Sequence, residues 1–221
     1  MSTVPAQAAV RDRLLLNRVD WRTYTRLLCI FADRRGYRLT YDRGALEIMS
    51  PLPEHESDAD FLGRLATTLT EELGLPIKAG RSTTLRRKRK QRGLEPDCCY
   101  WIANEPAMRG KRDLDLRVDP PPDLAIEVDV TSSSLNRMGI YRALGVPEVW
   151  RLDDQTLTFH VLGANRTYGV VSHSLSFPLV TAADLLPFFA SCASQEENSV
   201  IRQFREWIRQ RIVGGQTSPT P

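Results

Sequence analysis

The segment Pro120–Arg137, PPPDLAIEVDVTSSSLNR, constrains the fold more than any other part of the chain. Three prolines end the preceding element, because proline fixes φ and has no amide proton to donate. Beyond them Leu124, Ile126 and Val128 alternate with Asp123, Ala125, Glu127 and Asp129. This period of two predicts a strand with an apolar face toward the core and its three acids on the other face. Like charges on one face repel, and an unpaired buried carboxylate costs far more than an exposed one. Two environments satisfy such a strand. Its acids are solvated at an edge, or they surround a hard cation such as magnesium, which takes oxygen ligands.

At 221 residues the chain is long enough to bury a sizeable core as one domain. It has no apolar run near the roughly 20 residues that cross a bilayer, and MSTVPAQAAVRDRLLL has neither the basic start nor the long apolar segment of a secretory signal. Cys29, Cys98, Cys99 and Cys192 lack CxxC spacing. Free thiols and a cytoplasmic location are the expectation.

Residues 1–18 read as a loose arm, and Asp20 as the cap of a helix running to about Arg35 and stopped by Gly36. Tyr37–Tyr41 and Ala45–Ser50 predict a hairpin around Asp42-Arg43-Gly44. A second helix begins at Glu54 or Ser57 and ends at Leu73, with Phe61, Leu65, Leu69 and Leu73 on one face. Its first turn gathers Glu54, His55, Glu56 and Asp58, where acids also suit the helix dipole. Strands are expected over Pro76–Thr84 and over Leu94–Ile102, the latter with Asp97 inside it. Between them stand Arg86, Arg87, Lys88, Arg89, Lys90 and Arg92 with no acid among them. Such a run is either a solvated hairpin tip or a contact for a phosphate backbone. A short helix over Leu135–Leu144, strands over Glu148–Leu152, Thr156–Leu162 and Tyr168–Ser172, and helical structure over Ala182–Val213 follow. This divides the chain into an arm (1–18), a main domain (19–192), an amphipathic C-terminal helix (193–213) that packs on its own domain or on a partner in a homodimer, and a disordered tail (214–221).

The residues that could meet are the acids at the second helix start, Asp97, and Glu127 with its neighbour Asp129; Arg137 follows one turn into the next helix. Strands bearing Asp97 and Glu127 side by side would flank one cation at about 2.1 Å from each oxygen. A cation so held polarises a phosphodiester and lowers the pKa of a bound water. Paired-carboxylate glycosidase chemistry has little support, since sugars do not require a cationic run. His55, His160 and His173 sit in no nucleophile elbow.

The segments EIMSPLPEHE (Glu47–Glu56), STTLRRKRKQRGLEPDCCYW (Ser82–Trp101), PPPDLAIEVDVTSSS (Pro120–Ser134) and IYRALGVPEVWRLD (Ile140–Asp153) resemble, in this order and spacing, the Uma-two family of restriction-type endonucleases within the PD-(D/E)XK nuclease superfamily. The resemblance implies an α/β (α+β) fold with a mixed central sheet flanked by helices, and a DNA endonuclease dependent on Mg2+ or Mn2+. It assigns Asp97 and Glu127 to metal and catalysis, and the helix-borne polar position to Glu54 or His55. Where the motif has lysine, two positions after Glu127, this chain has Asp129. The family often moves that lysine to the following helix, four residues before a tyrosine, and that position is Arg137 before Tyr141. Only four of the 30 basic residues are lysines, and none follows Lys111. Arginine keeps the charge and clamps phosphate bidentately but does not act as a base. Cutting with Arg137 as a fixed charge, and DNA binding without cutting, both follow from this composition.

Overall fold

A computed structural model describes residues 13–32, 36–50, 53–81, 83–128 and 133–216, without the side chains of 53–55 and 215–216. Asp129, the side chains of Glu54 and His55, and residues 217–221 of the expected 214–221 tail therefore lie outside the described residues; the first three residues of that tail, 214–216, continue the last helix instead of being disordered.

The chain builds two sheets. The smaller has the order β1-β3-β2-β6-β5, formed by β1 (Arg13–Leu16), β2 (Arg38–Asp42), β3 (Ala45–Met49), β5 (Leu85–Arg87) and β6 (Arg92–Leu94), all antiparallel. The larger has the order β11-β10-β9-β8-β7-β4, from β4 (Lys78–Ala79), β7 (Cys98–Trp101), β8 (Leu124–Val128), β9 (Glu148–Asp153), β10 (Thr156–Leu162) and β11 (Tyr168–Val171). Its single parallel pair is β8 with β9, joined by the crossover helix α4 (Arg137–Leu144). The other helices are α1 (Trp21–Phe31), α2 (Pro53–Glu72), α3 (Glu105–Met108), α5 (Ala182–Ser191) and α6 (Glu197–Gln216). No helix among the described residues is long and apolar enough to cross a membrane.

Local chemistry sets the boundaries. Asp20 accepts from Thr23 N at 2.7 Å and caps α1. Asn136 caps α4 by accepting from Gly139 N, and Gly145 closes that helix with φ +84°. Arg43 and Gly44 both take positive φ in the β2–β3 turn, as a tight two-residue hairpin requires.

Packing is layered. On one face of the small sheet α1 buries Tyr24 against Leu39, Tyr41 and Leu46. On the outer face of the large sheet, α2, α5 and α6 share one core with Leu124, Ile126 and Val128; α6 supplies Val200, Ile201, Phe204 and Ile208. Arg205 and Arg209 pin α6 to Glu72 on α2 at 2.7 and 2.8 Å. Between the sheets, α4 places Ile140, Tyr141 and Leu144 against Leu85 and Leu94 of the small sheet and Ala125 and Val149 of the large one.

Three expectations change. Arg13–Leu16 is not loose: its edge position and mostly exposed side chains hide it from a pattern reading, yet it pairs with β3 in full register. The expected strand Leu94–Ile102 splits at Glu95–Asp97, so that β6 belongs to one sheet and β7 to the other. Strand β8 keeps its predicted alternation, but all five of its residues are buried. The face that carries Glu127 meets a second core, as befits a central strand covered on both sides.

Gly93 shows how closely α1 lies on the small sheet. A Cβ there would fall 2.2 Å from the Tyr24 hydroxyl and 3.1 Å from Arg86 Cβ. Gly93→Ala is expected to lower stability by about 1–3 kcal/mol through overpacking, measured by chemical denaturation.

Candidate active site

Strands β7 and β8 pair with Cys98 opposite Ile126, so one residue further Asp97 stands opposite Glu127. The two acids are brought side by side, as their strands required, but they face different surroundings.

Glu127 is 3% exposed and Arg137 4% exposed. The guanidinium forks onto the carboxylate, with Nε to Oε2 at 3.0 Å and Nη2 to Oε1 at 2.6 Å. Its remaining donors reach Thr40 Oγ1 at 2.7 Å and the Glu95 carbonyl at 2.8 Å. Tyr141, one turn along α4 from Arg137 and so on the same face, donates its hydroxyl to Glu127 Oε1. Burial pushes the Glu127 carboxyl above its ordinary range, while the Arg137 charge pulls it back. Burial also holds the Tyr141 phenol protonated, fixing it as a donor.

Asp97 opens onto a cleft of about 550 Å³ lined by Arg38, Glu56, Asp60, Arg81 and Cys98 among others. Its Oδ2 accepts from Val128 N at 2.8 Å, holding the end of β8. Its Oδ1 lies 3.4 Å from Arg38 Nη2, which is also 3.7 Å from Glu56 Oε1. Arg38 Nη1 donates to the Pro96 carbonyl at 2.8 Å, and its buried Nε has no acceptor. Neither Glu127 nor Arg137 lines this cleft. Arg38 is the cation that reading the sequence missed; its place on β2, next to the Pro96-Asp97 turn, comes from pairing across the chain.

A divalent cation does not fit the described donors as they stand. Glu127 has spent three of its about four lone-pair positions on Arg137 and Tyr141. Among the described residues no group of three or more His, Cys, Asp or Glu side chains could hold a metal ion. Asp123, the third acid of the opening segment, is used structurally: it accepts from Ile102 N, Asn104 N and Asn104 Nδ2.

The basic run divides. Arg86, Lys88, Arg89 and Lys90 are exposed, the last three forming a single 3-10 turn. Arg87 donates Nε to the Leu116 carbonyl at 3.0 Å, and Arg92 pairs with Asp42 at 2.9 Å.

Two measurements follow. Arg137→Ala leaves a buried carboxylate unpaired and is expected to cost about 3–5 kcal/mol, whereas Glu127→Leu with Arg137→Met restores most of it; thermal unfolding of both variants decides this. Burial raises the Cys98 thiol to about 11. At pH 8 about one molecule in a thousand carries its thiolate, rising tenfold per pH unit, so alkylation at pH 8 is expected at exposed Cys29 and not at Cys98.

The solved structures offer a distant likeness. One is the "Crystal structure of a putative nuclease belonging to DUF820 from Anabaena variabilis ATCC 29413", 18% identical, with a TM-score of 0.45 over 68% of this chain and 90% of that one. No curated protein matches. The Uma2 family model, described as "Putative restriction endonuclease", matches residues 21–191, a span that runs from the first residue of α1 to the last of α5 and holds Asp97, Glu127, Arg137 and the whole cleft-facing side of β2. The chain belongs to the Uma2 family.

Proposed function

We propose that this chain hydrolyses DNA phosphodiester bonds in the cleft where Asp97 and Arg38 meet. One observation supports the reading above others: in a chain of this family, a carboxylate and a guanidinium face each other at 3.4 Å across the wall of an open cleft. That spacing is longer than a tight charge-assisted bond, so each group is available to a third partner.

With a phosphodiester in the cleft, Arg38 binds a non-bridging oxygen and stabilises the charge that develops on it. Asp97 Oδ1 orients a water and accepts its proton as the water oxygen bonds to phosphorus. The P–O bond opposite breaks, and the leaving alkoxide takes a proton from solvent. Of the expected magnesium pair Asp97 and Glu127, only Asp97 faces the cleft, and no step here runs through the metal. Glu127 and Arg137 hold the cleft's back wall in register, since Arg137 ties β8 to Thr40 and to the Glu95 carbonyl. Burial raises the Cys98 thiol to about 11, which disfavours a cysteine nucleophile there at neutral pH.

Supercoiled plasmid incubated with the purified chain in Mg2+, in Mn2+ and in EDTA tests the reading. Nicking or linearisation is expected, reduced at least about a hundredfold in Asp97→Asn and in Arg38→Gln. Intact plasmid under all three conditions, with the protein folded and bound to the DNA, would overturn it.

A further inference from the structure

A second groove lies on the other side of the small sheet. It has a volume of about 720 Å³ and is walled by α1, by β5 with the turn after it, and by the connector around Leu114–Arg117. Its sides are set by alternation along β2. Leu39 and Tyr41 point to α1, whereas Thr40 points to Arg137 between the sheets. The groove and the Asp97 cleft are therefore on opposite faces of one sheet.

Its charge is one-sided. Arg26, Arg86, Arg87, Lys88 and Arg117 line it against one carboxylate, Asp115. Arg117 chelates that carboxylate through Nε and Nη2, holding Asp115 well below its ordinary range at about 2. Arg87 is engaged with the Leu116 carbonyl. Arg26, Arg86 and Lys88 have no ion pair among the described residues, and all three are exposed. Arg26 on α1, with Arg86 and Lys88 on and after β5, reach one groove from two elements that are far apart in sequence, and the charge of Arg86 is also felt by Asp115. The close contact of Gly93 with Tyr24 fixes α1 on the sheet and so sets the distance between them. Trp21 and Ile30 supply apolar wall beside the cations.

We infer that this groove is a nucleic-acid contact separate from the cleft, in which Arg26, Arg86 and Lys88 grip successive phosphates of a backbone. A polyanion with closely spaced charges gains from several fixed cations at once by releasing condensed counterions. A single small anion would engage only one or two of them. The sugar faces of such a backbone fit the apolar wall, which an acidic peptide does not require. The site adds to the hydrolytic reading without depending on it: a chain that binds here does so whether or not it cuts at Asp97.

Binding of a short fluorescent duplex to the full chain bearing Asp97→Asn, which removes the proposed base, followed by anisotropy over a salt series, isolates this contact from cutting. The triple variant Arg26→Glu, Arg86→Glu, Lys88→Glu is expected to lose at least about tenfold in affinity. Its slope of log K against log salt is expected to become shallower by about 0.9 for each phosphate contact removed. The milder Arg26→Gln, Arg86→Gln, Lys88→Gln variant checks that the effect survives without reversed charge, and thermal unfolding checks that both fold. Unchanged affinity and slope would overturn the inference. So would an equal loss in a control reversing Arg142, Arg166 and Arg202, exposed cations that line neither the groove nor the cleft, which traces the effect to net charge, or displacement of the duplex by polyglutamate as readily as by unlabelled DNA, which makes the groove a general polyanion site.

Discussion

The Glu127–Arg137 ion pair is the interaction on which the arrangement of both sheets depends. Glu127 stands on the large sheet, Thr40 and the Glu95 carbonyl belong to the small sheet and its exit, and Arg137 on α4 bonds to all three. Carrying two charges into a space where each is less than 5% exposed is expensive, and their attraction offsets it only when the geometry is good and the other donors are satisfied. Here four of the five guanidinium N–H groups have named acceptors, and Tyr141 completes the carboxylate. An apolar replacement of equal shape could be as stable. What the ion pair adds is direction: a forked, planar contact sets the angle of α4 relative to β8, which leucine packing alone would leave looser.

Much of the local structure was legible. Asp20, Gly44 and Gly145 mark their boundaries by chemistry that acts within four residues, so the caps and the hairpin fall where the sequence put them. What lay beyond reach was assignment to a sheet. The run Leu94–Ile102 has continuous strand character, yet Pro96 withdraws an amide from the ladder and the chain changes sheets there. The alternation in β8 correctly separated Ile126 from Glu127, but alternation distinguishes two faces and not what covers each of them. A second core behind Ala125 and Glu127 is made by α4, β5 and β6, whose contributions come from distant parts of the chain.

The candidate site divides along the same line. Asp97 and Glu127 were placed together because strand pairing is a local rule extended across one hairpin-like step. The cation was harder. Arg137 holds the position expected for a substrate clamp, and burial turns it into a framework residue; Arg38, with no motif of its own, reaches the cleft because β2 passes the Pro96-Asp97 turn. Spacing along a chain predicts which residues are neighbours. It does not predict which of two buried arginines lines the cleft.

Asp97 has two oxygens with two tasks. One holds the last amide of β8 through Val128 N, and the other looks into the cleft. Selection acting on shape alone would therefore keep this aspartate. A chain that kept only the shape would still need the clamp, and its Pro-Asp pair would be retained for the fold alone. Arg38 is likewise held to the Pro96-Asp97 turn by its 2.8 Å bond to the Pro96 carbonyl, so both sides of the 3.4 Å contact carry framework duties and neither position alone would record what the cleft does.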